Sequence, residues 1–256
     1  GFVPRLVGDS ARLLQHNVGH YLFVSTVAIY DRGIPQTEID EGSPLVATTG
    51  ICTEEYLTPA YGPLKLLCEQ TLSEYFPESA TILRPGYIAG PYDNTDRITY
   101  WVDRVARGGE VLVPQSPEDP FQFIDARDIA DFAIKTIEDK HYGTFDVTGE
   151  WQTWQSWLSA CQQTSGSDAT FSWVNDVDFI TQHADTAYRP FGAFPLMNSE
   201  ASNADITSHK ALAAVLHRRP TLDTARDLLK WQKSSTMSDK EIPVLDLLAA
   251  VGTNAS

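Results

Sequence analysis

Cysteine is scarce in this chain, with three in 256 residues: Cys52, Cys68 and Cys161. They are odd in number and far apart, and no Cys-x-x-Cys occurs, so neither a zinc knuckle nor a dithiol redox pair is indicated. They read as reduced thiols of a cytoplasmic protein. Bases are also in short supply. Lys and Arg total 19 against 34 Asp and Glu, for a formal charge of −15. That average field repels a phosphate backbone, so nucleic acid is not an expected partner. No apolar run approaches the roughly 20 residues of a membrane span, so no membrane partner is expected either. The N-terminal stretch lacks the charged-then-apolar layout of a signal peptide. His-Glu-x-x-His and Gly-x-Ser-x-Gly are missing, which removes support for zinc proteolysis and nucleophile-elbow hydrolysis. No metal site is expected. His16 and His20 are separated by Gly19 and a strand start, and Asp125, Asp128 and Asp131 suit the N-terminal charge of a helix.

What is present is a folded composition. Hydrophobic residues make up 42% and charged residues 21%, and the length suffices to bury a core without disulfides or metals. Residues 3–15 place Val3, Leu6, Val7, Ser10, Leu13 and Leu14 at helical spacing. His20–Ser25 is a short apolar run of the kind found in strands covered on both faces. Residues 31–55, rich in glycine and proline, form a long loop. A helix is predicted over 60–76 and a buried strand over Thr81–Leu83. A helix follows over 97–107, then strands at Val111–Val113 and Phe121–Ile124, the last running into a helix at Ala126–Ile137. Gly143–Val147 is a strand, 153–164 a helix and 170–174 a strand. Residues 184–205 have little periodicity. Helices at 209–216 and 222–232 follow, with Thr221 as an N-cap after Pro220. Trp151, Trp154 and Trp157, spaced at three, read as core or interface aromatics, since a base-stacking platform would want basic neighbours. The alternation of helix and strand predicts an α/β fold with a parallel sheet.

Three residues suggest chemistry. Tyr61-Gly-Pro-Leu-Lys65 puts a tyrosine and a lysine at i and i+4, on one face of the first helical turns. An ammonium beside a phenol stabilises the phenolate, so the tyrosine can serve as a general acid or base. Thr26 ends the apolar strand, and in an open parallel sheet ligands bind beyond the carboxyl ends of strands. A Tyr-x-x-x-Lys pair alone also fits a surface tyrosine beside a solvated lysine. The context around it is therefore what matters.

That context resembles a known family, the extended short-chain dehydrogenase/reductases of the NAD-dependent epimerase/dehydratase superfamily, from residue 1 to about residue 232. The resemblance rests on five stretches in order. They are Tyr21-Leu-Phe-Val-Ser-Thr26 with Ile29-Tyr30, Tyr61-Gly-Pro-Leu-Lys65, Leu83-Arg-Pro-Gly-Tyr-Ile-Ala-Gly-Pro91, Phe123-Ile-Asp-Ala-Arg-Asp-Ile-Ala130, and Arg219-Pro-Thr-Leu-Asp-Thr224 with Leu229-Lys-Trp231. It implies a partial Rossmann-like, doubly wound parallel sheet with a small C-terminal α/β substrate-side cap. Residues 1–150 would be the dinucleotide-binding remnant, with substrate-side segments near 92–122. Residues 151–234 would be mainly the substrate-side subdomain, and 235–256 a tail. Tyr61 would be the acid/base and Lys65 its activator and a ligand of the nicotinamide ribose. Thr26 would orient the substrate oxygen, while Pro85, Gly86 and Tyr87 would lie against the nicotinamide of NAD or NADP. The reaction is then hydride transfer on a carbonyl or hydroxyl compound, a small-molecule substrate, and the assembly a candidate homodimer.

Two departures qualify the resemblance. The family holds its pyrophosphate at a glycine-rich turn after the first strand, and no glycines stand at i, i+3 and i+6 here. Gly1-Phe2-Val3-Pro4 reads as the turn leaving the family's fourth strand, with the phosphate-binding half absent. Three explanations stay open: a fragment, a natural short form acting as a non-catalytic binding or assembly module, or a partner chain that completes the sheet. With that half absent, His20–Ser25 is expected to lack a neighbour on one side within this chain and stand at a sheet edge. The second departure concerns substrate. Sugar-nucleotide members often carry a diphosphate-binding arginine where this chain has Phe121, and a histidine where it has Asp125. Phenylalanine cannot supply bidentate phosphate contacts. Asp93, Asp96 and Arg97 are candidate substrate contacts, with a solvated Asp–Arg loop as the plainer reading.

Overall fold

The computed structural model describes residues 1–34, 38–51, 60–93, 95, 97–113, 115–174 and 205–234. The elements up to mid-chain are α1 (Pro4–Leu14), β1 (Tyr21–Val24), β2 (Glu38–Ile39), α2 (Tyr61–Tyr75), β3 (Ala80–Pro85), β4 (Ile88–Ala89), α3 (Thr99–Ala106) and β5 (Glu110–Val113). Then come β6 (Pro120–Phe121), β7 (Ile124–Asp125), α4 (Ala126–Glu138), β8 (Gly143–Val147), β9 (Gln152–Thr153), α5 (Trp154–Ser165), β10 (Thr170–Trp173), β11 (Asp205–Ile206), α6 (His209–Ala214) and α7 (Thr221–Ser234). The chain forms two compact units. One comprises Gly1–Ile88, Gln122–Glu150 and Asn203–Arg218; the other comprises Ala89–Phe121, Trp151–Ser202 and Arg219–Ser256. Cys52, Asp96, the stretch 184–204 and the tail 235–256 lie outside the described residues. No helix among the described residues is long and apolar enough to cross a membrane.

The first unit is built on a parallel sheet of order β1-β3-β8. Its register sets Val24 beside Leu83 and Leu83 beside Phe145. Successive strand residues point to opposite faces, and the core follows that rule. Phe23 and Ile82 pack with Val7, Ala11, Cys68, Leu72 and Phe76 of α1 and α2. Leu83, Phe145 and Val147 pack with Ile129, Phe132, Ala211 and Leu216 on the α4 and α6 side. The two crossover helices, α2 and α4, thus cover opposite faces, which makes the sheet doubly wound. The sequence reading of an α/β parallel sheet holds. β1 has β3 on one side and no strand on the other among the described residues, so it stands at the edge as expected. Val24 is 44% exposed there.

Local sequence explains the element ends. α1 starts with Pro4 at its first position after an extended Val3, where proline's missing N–H costs nothing. α4 is capped by Asp125, whose side chain accepts the Arg127 N–H. The buried Asp125 carboxylate is paired again with the Arg127 guanidinium at 2.7 Å. Helix α7 differs from expectation. It includes Thr221 as its first residue, and the Pro220 carbonyl accepts the Asp223 N–H at 2.9 Å. Pro220 therefore takes the capping position by its backbone.

In the second unit β5 and β10 pair in parallel and β6 and β9 antiparallel. Helices α3, α5 and α7 pack on one another. An aromatic cluster fills their core: the Trp101 ring lies 5.0 Å from Trp154, and Phe121 lies 4.6 Å from Trp154 and 5.9 Å from Trp157. The tryptophans at 154 and 157 are therefore core residues. The predicted strand Phe121–Ile124 is instead two short ones, β6 and β7, because the chain passes from one unit to the other after Phe121. Gln122 begins its stretch of the first unit, donating to Thr148 Oγ1 and to the carbonyls of Gly149 and Ile206.

Candidate functional site

The carboxyl ends of β1 and β3 lie side by side in the parallel register, and the Ser25 N–H extends the ladder by donating to the Leu83 carbonyl at 2.6 Å. Thr26 and Pro85 therefore leave the sheet at the same edge. Beyond Thr26 the chain makes one short 3-10 turn, Val27–Ile29. Thr26 Oγ1 caps this turn by accepting the Ala28 N–H at 3.2 Å. A hydroxyl is both donor and acceptor, so this bond fixes the oxygen and leaves its proton available to a neighbouring oxygen. The side chain of Ser25, 4% exposed, is buried beside it. Its Oγ has no hydrogen-bond partner among the described residues. A buried orphan hydroxyl is costly, and its position was not singled out from sequence.

Helix α2 delivers the other two residues. Its first turn approaches the Thr26 turn so closely that a Cβ on Gly62 would stand 2.2 Å from the Ala28 carbonyl oxygen. Only glycine permits that approach. One turn on, Lys65 Nζ donates to the Val24 carbonyl at 2.6 Å and to the Gly1 carbonyl at 3.0 Å. It also lies 4.2 Å from the centre of the Phe23 ring. Burial holds this ammonium below the ordinary lysine value, against the opposing pull of Cys68 and Glu69. Two of its three N–H groups are used by backbone, which leaves one to donate. Lys65 is therefore a buried cation pinned to the last residue of β1, two positions before Thr26.

Tyr61 opens the same helix and is half-buried, with its ring 6.4 Å from that of Phe2. Among the described residues no hydrogen bond joins its hydroxyl to Lys65 or Thr26. The structure thus brings the Lys65 ammonium to the end of β1, and brings the backbone beside Tyr61 to the turn after Thr26. The segment after β3 is equally close-packed. Gly86 N donates to the Val147 carbonyl at 3.4 Å, and the Tyr87 carbonyl accepts the Ile124 N–H at 2.8 Å. A Cβ on Gly86 would sit 3.2 Å from Thr148 Cγ2.

Asp93 and Arg97 belong to the second unit. Asp93 Oδ1 accepts from Thr95 N and Thr95 Oγ1 at 2.8 and 2.6 Å, a local turn, while its Oδ2 is buried without a partner among the described residues. Phe121 is 5% exposed and belongs to the aromatic core.

The chain's relatives agree with this architecture. The model of the family described as NAD dependent epimerase/dehydratase matches residues 9–147. Among curated proteins the chain finds no match. Among solved structures it is similar to UDP-glucuronic acid 4-epimerase from Bacillus cereus in complex with NAD, at 13% identity and TM-score 0.62, covering 93% of this chain and 67% of that one. It is similar to UDP-glucose 4-epimerase from Thermotoga maritima with UDP-glucose, at 16% identity and TM-score 0.62, covering 90% and 67%. It is also similar to dTDP-4-dehydrorhamnose reductase from Bacillus anthracis in complex with NADP, at 15% identity and TM-score 0.60, covering 90% and 70%. At these identities the likeness is one of fold. The family match is broader evidence: it takes in the edge strand, the Tyr-x-x-x-Lys helix and the Arg-Pro-Gly strand over more than half of the 256 residues, and the chain belongs to the NAD dependent epimerase/dehydratase family.

Proposed function

We propose that this protein is a nicotinamide-dependent oxidoreductase or epimerase acting on a carbonyl or hydroxyl compound, with Tyr61 as its acid/base. The observation that carries the reading is the corner where Lys65 is pinned to the Val24 carbonyl and Gly62 meets the Ala28 backbone. It ties the Tyr61 helix to the Thr26 turn at the carboxyl edge of a parallel sheet, where such folds take their ligands. The residues there suit the nicotinamide end of a dinucleotide: a Ser25 hydroxyl with no partner among the described residues, a donor proton on Thr26 and an uncommitted N–H on Lys65. When bound, the nicotinamide would accept or return the hydride.

In this reading Thr26 donates to the substrate oxygen and holds it toward Tyr61. The Tyr61 hydroxyl takes or gives the proton on that oxygen. The Lys65 ammonium, fixed by backbone carbonyls, favours the phenolate and donates to the nicotinamide ribose. Pro85, Gly86 and Tyr87 lie against the ring. Asp93 and Arg97 are the proposed substrate contacts. NAD and NADP both remain candidates, as the related epimerase and reductase structures carry one or the other. The buried Phe121 weighs against a sugar-nucleotide substrate, since a phenylalanine ring offers no guanidinium to grip a diphosphate.

A thermal-shift titration of the protein with NAD and with NADP tests the reading. Saturable stabilisation by either is expected, about 2.7 kcal/mol at a hundredfold excess over Kd. A melting temperature unmoved by both supports the alternative, a non-catalytic binding or assembly module.

A further inference from the structure

Beneath the proposed site lies a buried polar chain that none of the roles above uses. Arg84 shares the face of Ile82, two residues earlier on β3, and so points toward α2. There Arg84 Nη2 and Nε donate to the two carboxylate oxygens of Glu69 at 2.7 and 3.2 Å. Arg84 Nη1 donates to the Tyr30 hydroxyl oxygen at 2.9 Å, and that hydroxyl donates in turn to both carboxylate oxygens of Asp146 at 2.7 and 2.8 Å. Asp146 stands opposite Arg84 in the β3–β8 register. All four residues are at most 5% exposed.

Three of the four members are each attached to a different part of the proposed site, and Asp146 joins them from β8. Tyr30 closes the turn that begins at Thr26. Glu69 is one helical turn past Lys65 and two past Tyr61 on the same face of α2. Arg84 is the residue before Pro85, Gly86 and Tyr87. We infer that Tyr30, Glu69, Arg84 and Asp146 are positioning residues, one network that holds the Thr26, Tyr61–Lys65 and Pro85–Tyr87 segments in register for the reaction. A bidentate guanidinium–carboxylate pair fixes direction as well as distance, and a network satisfied at every member rigidifies its surroundings. A chain of core contacts would bury the same segments without fixing their angles. The inference rests on the functional reading above for its purpose, but not for its geometry.

The test uses Tyr30→Phe, which removes one hydroxyl at the hub and keeps the ring. Hydrogen exchange by mass spectrometry is followed over residues 25–31, 61–66 and 85–89, together with NAD and NADP affinity and melting temperature. Leu72→Ala serves as a control for simple loss of core stability. The network predicts that Tyr30→Phe speeds exchange in all three segments together by about tenfold, the size expected when a buried hydrogen bond is lost and its partners left unpaired. It predicts a matching loss of nucleotide affinity, while Leu72→Ala, at a comparable fall in melting temperature, keeps its affinity. Asp146→Asn, which retains an acceptor for Tyr30, should keep all three segments near wild type. If Tyr30→Phe does not fold, Glu69→Gln takes its place, with the same expectation. Exchange that changes only near Tyr30, or affinity that tracks melting temperature equally in Tyr30→Phe and Leu72→Ala, overturns the network. A wild-type protein that binds neither nucleotide yet shows coupled exchange in the variant supports the network and overturns the functional reading.

Discussion

At the scale of single residues, the account makes Tyr61 chemical and Lys65 both chemical and structural. Tyr61→Phe removes only the phenol oxygen, and the helix around it is anchored elsewhere, by Lys65 and Gly62. Turnover on any compound the protein oxidises or reduces should therefore fall about 100-fold or more, the usual worth of a positioned acid/base. Nucleotide affinity should hold within a few-fold, a split read from steady-state kinetics beside a binding titration. Asp146 yields a separate prediction. Burial pushes its carboxyl up to about 7; Glu41 and Asp40 add to the shift, while the Tyr30 hydrogen bond and Arg84 oppose it. The folded protein thus holds a proton that the unfolded chain, with an ordinary carboxylate near 3.9, has released. Stability should fall as pH rises between roughly 4 and 7, by an amount on the order of a few kcal/mol, and level off above. Asp146→Asn lacks that slope. Urea unfolding should find the variant more stable than wild type at about pH 8 and the advantage fading toward about pH 5. Parallel curves for the two proteins would contradict the assigned direction.

At the scale of elements, the fit between α2 and the Thr26 turn is the tightest claim. Gly62→Ala improves helix propensity by up to about 1 kcal/mol. The new methyl would nevertheless meet the Ala28 carbonyl oxygen at 2.2 Å, so backbone must move. Overpacking of that kind costs about 1–3 kcal/mol. A net loss of stability is expected in chemical denaturation, and a gain would show that the turn yields without strain. This contact also marks where sequence stops being informative. The helical spacing of α1, α2 and α4 and the apolar runs of β1 and β3 were legible because each element buries one face or two. The Tyr-x-x-x-Lys spacing placed two candidate residues on one helix face by the same periodicity. Gly62 carried no such signal, since its partner lies 34 positions earlier by number, in a turn whose path depends on the sheet. Tyr30 and Asp146 are 116 positions apart and are brought together by a sheet in which β1 pairs with β3 and β3 with β8. The Phe121–Ile124 run looked continuous because hydrophobicity says nothing about a passage between units.

At the scale of the whole molecule, a charge of −15 is carried by a chain that buries a lysine in its proposed site and an arginine beneath it. Each is satisfied in its own way: Lys65 by backbone carbonyls, Arg84 by a carboxylate and a phenol. The parallel sheet covered on both faces by helices, with the proposed site residues at its carboxyl edge, is the arrangement that lets a β1 turn, an α2 helix and a β3 exit converge. The solved relatives share the fold at 13–16% identity, which leaves the corner around Lys65 to be judged by its own chemistry. The most direct judgement is a side-by-side titration of wild type and Lys65→Met with NAD and NADP. The account predicts saturable binding to wild type by at least one nucleotide. It predicts at least about tenfold weaker binding to the variant, the order of a lost charge-assisted hydrogen bond. Binding of equal strength to both proteins, or to neither, would contradict it.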